Sequence, residues 1–306
     1  MVALSARWPF SRTTDRPAPR PDRLLRDNPA LLLSALQAPE TVAGLIAEWN
    51  PTSAAGAATP AATAAPTANA PATEIAEGIR WHGPIRLTPI LRADAGLPTA
   101  GPASSLGLAY VAEVRRERAK IGDSRHADHL RRRYPHGLPT GAEAEAWQLV
   151  RGLAKRLRGV ARLPGGPVHS PHQGPPLPGD TDHAVFSHEM LPWLVLREIL
   201  RPIAPDLACE MVPDGGGYIL RHRELVGVRV RPTGPGTRLP HALRDRADDA
   251  WPRSIYEFCD LSAPAAGRTG AAPAVKIAAA LIAEVTGGVL LDADGFPQAA
   301  QTFAGS

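Results

Sequence analysis

The sequence has few cysteines, few aromatic residues and few lysines. Its two cysteines, Cys209 and Cys259, are too few for a disulfide framework, and no CxxC motif is present. Aromatic residues make up 5% of the chain, so few side chains are available to stack on nucleic-acid bases. Only three of the 34 basic residues are lysine, and the excess of arginine, alanine and proline is typical of a GC-rich bacterial genome.

Long hydrophobic runs are also missing from the sequence. No segment approaches the roughly 20 apolar residues that span a bilayer. The best N-terminal candidate, residues 30–36, is short and is followed closely by Gln37 and Glu40. Aspartates interrupt the arginines that precede it, unlike the basic start of a secretory signal. We therefore expect a cytoplasmic protein without membrane contact.

Two N-terminal segments differ sharply in composition. Residues 1–27 are rich in Arg and Pro and lack apolar periodicity, which predicts a disordered tail. Residues 28–50 predict a helical hairpin, with one short helix over residues 31–37 and a second from Pro39 to Trp49. This hairpin has more apolar surface than it can bury alone. It either docks on a partner or packs on the main body, and the latter is favoured because apolar patches usually bury in their own core.

Residues 51–73 form the clearest boundary in the sequence. They comprise 11 Ala, 5 Thr, 4 Pro and three other small residues, without any charge. Such a segment cannot offset the entropy of ordering, so it predicts a semi-extended linker. Beyond it, residues 74–160 predict a basic helical part and residues 161–300 an α+β domain. Residues 74–166 contain 16 basic and 9 acidic side chains, whereas residues 167–306 contain 12 and 16.

The order of helices and strands predicts an α+β fold with a mostly antiparallel sheet and flanking helices. Neighbouring strand patterns are joined by short turns, and helices lie before and after them. The strands are expected at residues 160–163, 183–187, 207–212, 218–222, 226–230, 255–261 and 289–291, and residues 81–91 are expected to form a strand or an extended loop. The main helices are expected at residues 126–134, 142–157, 190–201 and 274–285.

A basic face on the helices of residues 115–158 predicts one possible function, nucleic-acid binding. Arginine and lysine bind phosphates and release counterions. No helix-turn-helix motif, zinc finger or interleaved aromatic residue accompanies these charges. A solvated helix face, or contacts with the acidic C-terminal part, is the structural alternative. The candidate residues are Arg131, Arg132, Arg133, Arg151, Lys155, Arg156 and Arg158.

A second group of polar residues lies in the Pro- and Gly-rich segment 169–189. Four histidines and three carboxylates within this segment could bind a transition metal. Their spacing matches neither HExxH nor another metal signature, and a solvated loop is the structural alternative. The candidate ligands are His169, His172, Asp182 and His183.

The last strand ends in a DxDG motif, Val289 to Gly295. It resembles the first motif of haloacid-dehalogenase-type phosphatases, in which the first Asp attacks phosphorus and Mg²⁺ lies between the two carboxylates. That family places the motif at the start of its domain, but only 11 residues follow Gly295 here. Phe296 also stands where the family has Thr or Val. We interpret the motif as an acidic turn after the last core strand.

These patterns favour a non-enzymatic module that binds another macromolecule, without a cofactor. The expected partner is another protein. The alternative is a nucleic acid bound by the basic helices, and the third hypothesis is a metal-dependent hydrolase that uses residues 169–189.

Overall fold

The computed structural model shows an α+β protein, which confirms the predicted fold class. The described residues form seven α-helices and two six-stranded sheets, and all strand pairs among them are antiparallel. None of the described helices is both long and apolar enough to traverse a bilayer. The described residues are 19–53, 72–123, 127–164, 168–170, 181–212, 216–223, 225–246, 252–261 and 271–299.

The first sheet has the strand order β2-β3-β4-β1-β7-β8. Its strands are β1 (Ala30–Leu33), β2 (Thr73–Ala76), β3 (Ile79–Arg86), β4 (Leu108–Val114), β7 (Val160–Arg162) and β8 (Val168–His169). A separate two-stranded ribbon consists of β5 (Arg118–Ala119) and β6 (Leu138–Pro139).

Helices cover both faces of this sheet. They are α1 (Pro21–Asp27), α2 (Pro39–Trp49), α3 (Pro89–Asp94), α4 (Ala127–Arg133) and α5 (Gly141–Arg156), with a 3₁₀ helix at Pro102–Ser105. On one face α2 and α5 share a core with strand residues such as Leu31 and Tyr110. On the other face α1 packs against Leu32 and Val111. The alternation of β-strand side chains assigns Leu31 and Leu32 to opposite faces.

Strand β1 replaces the first helix of the predicted hairpin. The sequence predicts a helix over residues 31–37, and this prediction is wrong. Residues 30–33 form an internal strand between β4 and β7, and all four side chains are fully buried. A short continuous apolar run is compatible with a buried strand or a buried helix, and here pairing on both sides decides. Helix α2 confirms the second predicted helix, and the segment packs on the main body as favoured.

The segments around β1 also differ from their predictions. Helix α1 lies within the tail predicted to be disordered, and it buries Leu24 and Leu25. Residues 74–160, predicted as a basic helical part, include β3 and β4, and β3 overlaps the strand or extended loop expected at residues 81–91. Residues 1–18 of the predicted tail and residues 54–71 of the predicted linker lie outside the described residues.

The second sheet has the strand order β10-β11-β12-β13-β9-β14. Alternating residues, such as Val226, Val228 and Val230, point into one core, which α6 and α7 cover. A 3₁₀ helix, His241–Arg246, covers the other face near Phe186. The elements are β9 (Thr181–Ser187), α6 (Trp193–Leu200), β10 (Ala208–Met211), β11 (Tyr218–Arg221), β12 (Val226–Pro232), β13 (Ser254–Asp260), α7 (Ala271–Thr286) and β14 (Val289–Asp292).

Candidate functional site

The predicted nucleic-acid residues lie in two helices and the turn after them. In α4, Arg131 is exposed and forms ion pairs with Asp123 and Asp128. Arg132 follows it with an exposed side chain, and Arg133 is the last residue of the helix. Exposed ion pairs of this kind contribute about 0–1 kcal/mol, so they restrain Arg131 only weakly.

The basic residues of α5 divide into two groups. Lys155 is exposed, and so is Arg158, which lies in the turn after α5 with a positive φ of 52°. Arg151 instead donates through Nε to Oδ1 of Asp294 at 3.0 Å, and Arg156 donates to Oδ2 of Asp292 at 2.7 Å. Because both aspartates are buried, these two arginines are held within the fold. They join α5 to the end of β14.

The DxDG motif forms the turn that receives these arginines. Oδ1 of Asp292 accepts hydrogen bonds from the backbone N–H groups of Asp294 and Phe296, each at 3.0 Å. Gly295 adopts a φ of +80°, which favours glycine. Phe296 is fully buried in the core of the first sheet, and the guanidinium of Arg156 lies 3.8 Å from its ring centroid. The motif therefore connects the two sheets, consistent with an acidic turn.

Gly152 permits the close contact between α5 and this turn. A Cβ at Gly152 would overlap the ring of Phe296 and would lie 2.9 Å from Cβ of Asp294. The turn can approach the helix only where a side chain is missing. Gly152 thus allows the turn after β14 to pack directly on α5.

A second link between the sheets centres on Glu145 of α5. Its carboxylate accepts from Nε2 of His241 at 2.9 Å and from Nη2 of Arg244 at 3.2 Å, and it pairs with Nε of Arg238 at 2.6 Å. Burial by itself raises the pKa of Glu145, but the hydrogen bond and the positive charges around it together lower that pKa below its ordinary value. The indole of Trp49 lies 4.3 Å from the His241 ring. We call these five residues the Glu145 cluster.

The Glu145 cluster borders a cleft of about 400 Å³ between the two sheets. Its other charged lining residues are Glu257, which pairs with Arg231, and Asp292, which pairs with Arg156. The acids that line this cleft are therefore engaged in ion pairs that hold the protein together.

The predicted metal ligands are distributed over both sheets. His169 lies in β8 beside Trp147, at a ring distance of 5.3 Å, whereas Asp182 and His183 lie in β9. Oδ2 of Asp182 accepts from the backbone N–H of Asp260 at 2.8 Å, and burial lowers the pKa of His183. His172 lies outside the described residues. Within the described part of the chain, no three His, Cys, Asp or Glu side chains converge as metal ligands.

Both cysteines lie in strands, as their apolar neighbours predict. Cys209 is in β10 and Cys259 in β13, and both are free and partly buried. Burial raises the pKa of each thiol, so both favour the protonated and less nucleophilic form.

One surface at the edge of the second sheet was not found from the sequence. Leu194 and Val195 in α6 and Met211 in β10 are between 44% and 60% exposed. A groove of about 450 Å³ lies between α6 and the start of β10. We call these three residues and the groove the α6–β10 surface.

Helix α7 has a second exposed apolar feature. Ile277 is 38% exposed and Val285 is 49% exposed, and Leu281 lies between them with a half-buried side chain. Residues four apart share one face of a helix. We call these three residues the α7 stripe.

The chain matches no protein-family model, and no curated protein or solved structure matches it. The function must therefore be inferred from the exposed surfaces and from the contacts between the two sheets.

Proposed function

We propose that this protein is a non-catalytic module that binds another protein through the α6–β10 surface. One observation carries the proposal: α6 and the edge strand β10 expose the large apolar side chains of Leu194, Val195 and Met211, and a groove lies between the two elements. The groove is lined by residues 205–208 and by the charged residues Arg197, Glu198 and Arg201. Leu194, Val195 and Met211 would each be more stable out of water, since burial of a large apolar side chain contributes about 1.5–3 kcal/mol. Exposed apolar patches mark interaction sites in soluble proteins.

The edge of β10 indicates the form of the partner segment. Within the described part of the chain, β10 has a strand neighbour on one side only, namely β11. Its other edge offers backbone N–H and C=O groups to a new strand. An extended segment of the partner can add to this edge and place its apolar side chains against Leu194 and Met211. Specificity then comes from the groove beside α6.

The ion pairs of α5 support a protein partner over a nucleic acid. Arg151 and Arg156 belong to the basic face predicted from the sequence, yet they bind Asp294 and Asp292. Contacts of α5 with the acidic C-terminal part, the structural alternative for this face, account for both. Phosphates would have to displace buried carboxylates to reach these arginines.

Site-specific photo-crosslinking tests the proposal in extracts of the source organism. A photoreactive residue is placed at position 194, 195 or 211, and Leu36, which is 93% exposed beyond β1, serves as the matched control. We expect the first three positions to crosslink to one segment of the same protein. A synthetic peptide of that segment should then slow hydrogen exchange of the β10 amides in the purified chain. Equal crosslinking at position 36, or a peptide without effect on β10, would contradict the proposal.

Nucleic-acid binding is the second candidate. Arg132, Lys155 and Arg158 favour it because their side chains are exposed and form no ion pair with a described residue. A gel shift that weakens steeply with salt would support it. Replacing all three residues by Gln should then reduce the dependence of the binding constant on salt by about one unit of slope per lost phosphate contact.

A further inference from the structure

Helix α7 has two apolar faces, of which the sheet buries one. Val275, Ala278 and Ile282 are buried against the second sheet, where α7 contacts β9 and β13. The α7 stripe lies on the outer side of the same helix. An amphipathic surface helix normally presents charged residues there. The stripe is therefore a feature that the packing of α7 on its own sheet does not explain.

Two exposed charged residues accompany the stripe. Lys276 lies one residue before Ile277, and Glu284 lies one residue before Val285. At about 3.6 residues per turn, both lie on the same flank of the stripe. Neither forms an ion pair with a described residue. A positive charge and a negative charge are thus placed at opposite ends of one apolar row.

This pattern is complementary to itself. If a second α7 lies antiparallel about a two-fold axis near Leu281, Ile277 faces Val285 of the second copy. Because the charges share a flank, Lys276 then lies on the same side of the interface as Glu284 of the second copy, offset from it along the helix axis by two residues, about 3 Å. A two-fold interface requires such self-complementarity, since each contact occurs twice. We infer that the α7 stripe is an interface between two copies of this chain, with α7 antiparallel to α7.

The length of α7 limits the strength of this association. The helix has 16 residues, so it is about 24 Å long. Stable interfaces bury roughly 800 Å² on each partner, which is more than one helix pair supplies. The dimer is therefore weak and dissociates on dilution. The α7 stripe shares no residue with the α6–β10 surface, so variants of one leave the residues of the other unchanged.

Charge reversal combined with sedimentation equilibrium tests this inference on the full chain. We expect the natural sequence to show a monomer–dimer equilibrium. Lys276→Glu alone and Glu284→Lys alone each create two like-charge contacts and should weaken dimerisation roughly tenfold. The double variant restores the pairing with reversed signs, so its dissociation constant should return close to the natural value. High salt should reduce the differences among the four proteins.

Removal of the apolar contacts provides a second, independent measurement. Ile277→Gln combined with Val285→Gln should leave the chain folded, as judged by circular dichroism, and should make it monomeric. Leu36→Gln is the matched control and should dimerise like the natural chain. A natural chain that stays monomeric at the highest attainable concentration would overturn the inference, as would a dimer indifferent to the stripe variants. Either result would leave the proposed α6–β10 partner untouched, because its crosslinks do not involve α7.

Discussion

Helices α5 and α7 have the same length, and each packs on one six-stranded sheet, yet their outer faces differ. The outer face of α5 carries charged residues, of which Glu145, Arg151 and Arg156 bind residues of the second sheet or its connections. The outer face of α7 carries Ile277 and Val285, which remain exposed. The charged residues of α5 thus form contacts within the molecule, whereas the apolar residues Ile277 and Val285 of α7 stay exposed to solvent.

This difference explains why charge alone is a poor guide to the partner of this protein. A row of arginines on a helix suggests a phosphate ligand, but a fold of two sheets also needs polar contacts at their junction. Buried carboxylates need partners, and arginine satisfies them with paired hydrogen bonds. The apolar side chains left on α6 and α7 lack such an internal role. Variants that disturb one helix but not the other can therefore test the comparison.

The largest effect is expected from Phe296→Ala. The ring is fully buried in the core of the first sheet although it follows the last strand of the second. Its removal leaves a cavity next to Gly152 and should lower the free energy of unfolding by about 3–5 kcal/mol. Urea denaturation followed by circular dichroism measures this change. Ile90→Ala, at an exposed position of α3, is the control, and an equal loss there would show that Phe296 does not join the sheets.

Asp294→Asn should have the next largest effect. The substitution removes the charge that pairs with Arg151 and should cost about 1.5–3 kcal/mol of stability. A double-mutant cycle with Arg151→Gln isolates the pair, and we expect a coupling energy of about 1 kcal/mol or more. Strictly additive losses would mean that this ion pair contributes nothing to the junction.

Much of the fold follows from local sequence patterns. Helix α5 has Trp147, Val150 and Leu153 at helical spacing, and the alternation of valines in β12 predicts a half-buried strand. The sequence therefore predicts most helices and the strands of the second sheet correctly. Strand β4 was missed, although its run LAYVAEV contains the aromatic and β-branched residues that favour strands.

The remaining features depend on contacts between distant residues. Ala30 to Leu33 become a strand because β4 and β7 supply hydrogen bonds on both sides, which local propensity does not reveal. In the same way, spacing assigns Arg151 to a helix face but does not reveal that Asp294, 143 residues away, is its partner. For Arg151 and Arg156, the sequence left open a phosphate ligand or contacts with the acidic C-terminal part, and the structure shows the second for these two residues.

Gly152→Ala tests how closely α5 must approach the turn. The new methyl group would overlap the ring of Phe296, and such overpacking costs about 1–3 kcal/mol. Denaturation should show this loss even though alanine favours a helix more than glycine does. Combination with Phe296→Leu should recover part of the stability, since the smaller side chain leaves space. A stabilised single variant would contradict the close packing described here.

The Glu145 cluster predicts a moderate dependence of stability on pH. The pKa of Glu145 is lower in the folded chain than its ordinary value of 4.5, so the unfolded chain binds this proton first as the pH falls. The stabilisation is complete above the ordinary value and is lost as the pH drops towards the lowered one. Thermal melts across this range should show a shallower slope for Glu145→Gln than for the natural chain. Identical slopes would mean that the pKa of Glu145 does not differ between the folded and the unfolded chain.

The smallest change in stability is expected at the α7 stripe. Ile277→Gln with Val285→Gln alters exposed positions, where substitutions usually change stability by less than about 0.5 kcal/mol. Glutamine also favours a helix slightly more than valine does, which offsets part of the lost apolar contact. The measurement must be made at low protein concentration, because dimerisation stabilises the folded chain by mass action. A loss of stability comparable to that of Phe296→Ala would show that the stripe belongs to the core, and the contrast between α5 and α7 would then fail.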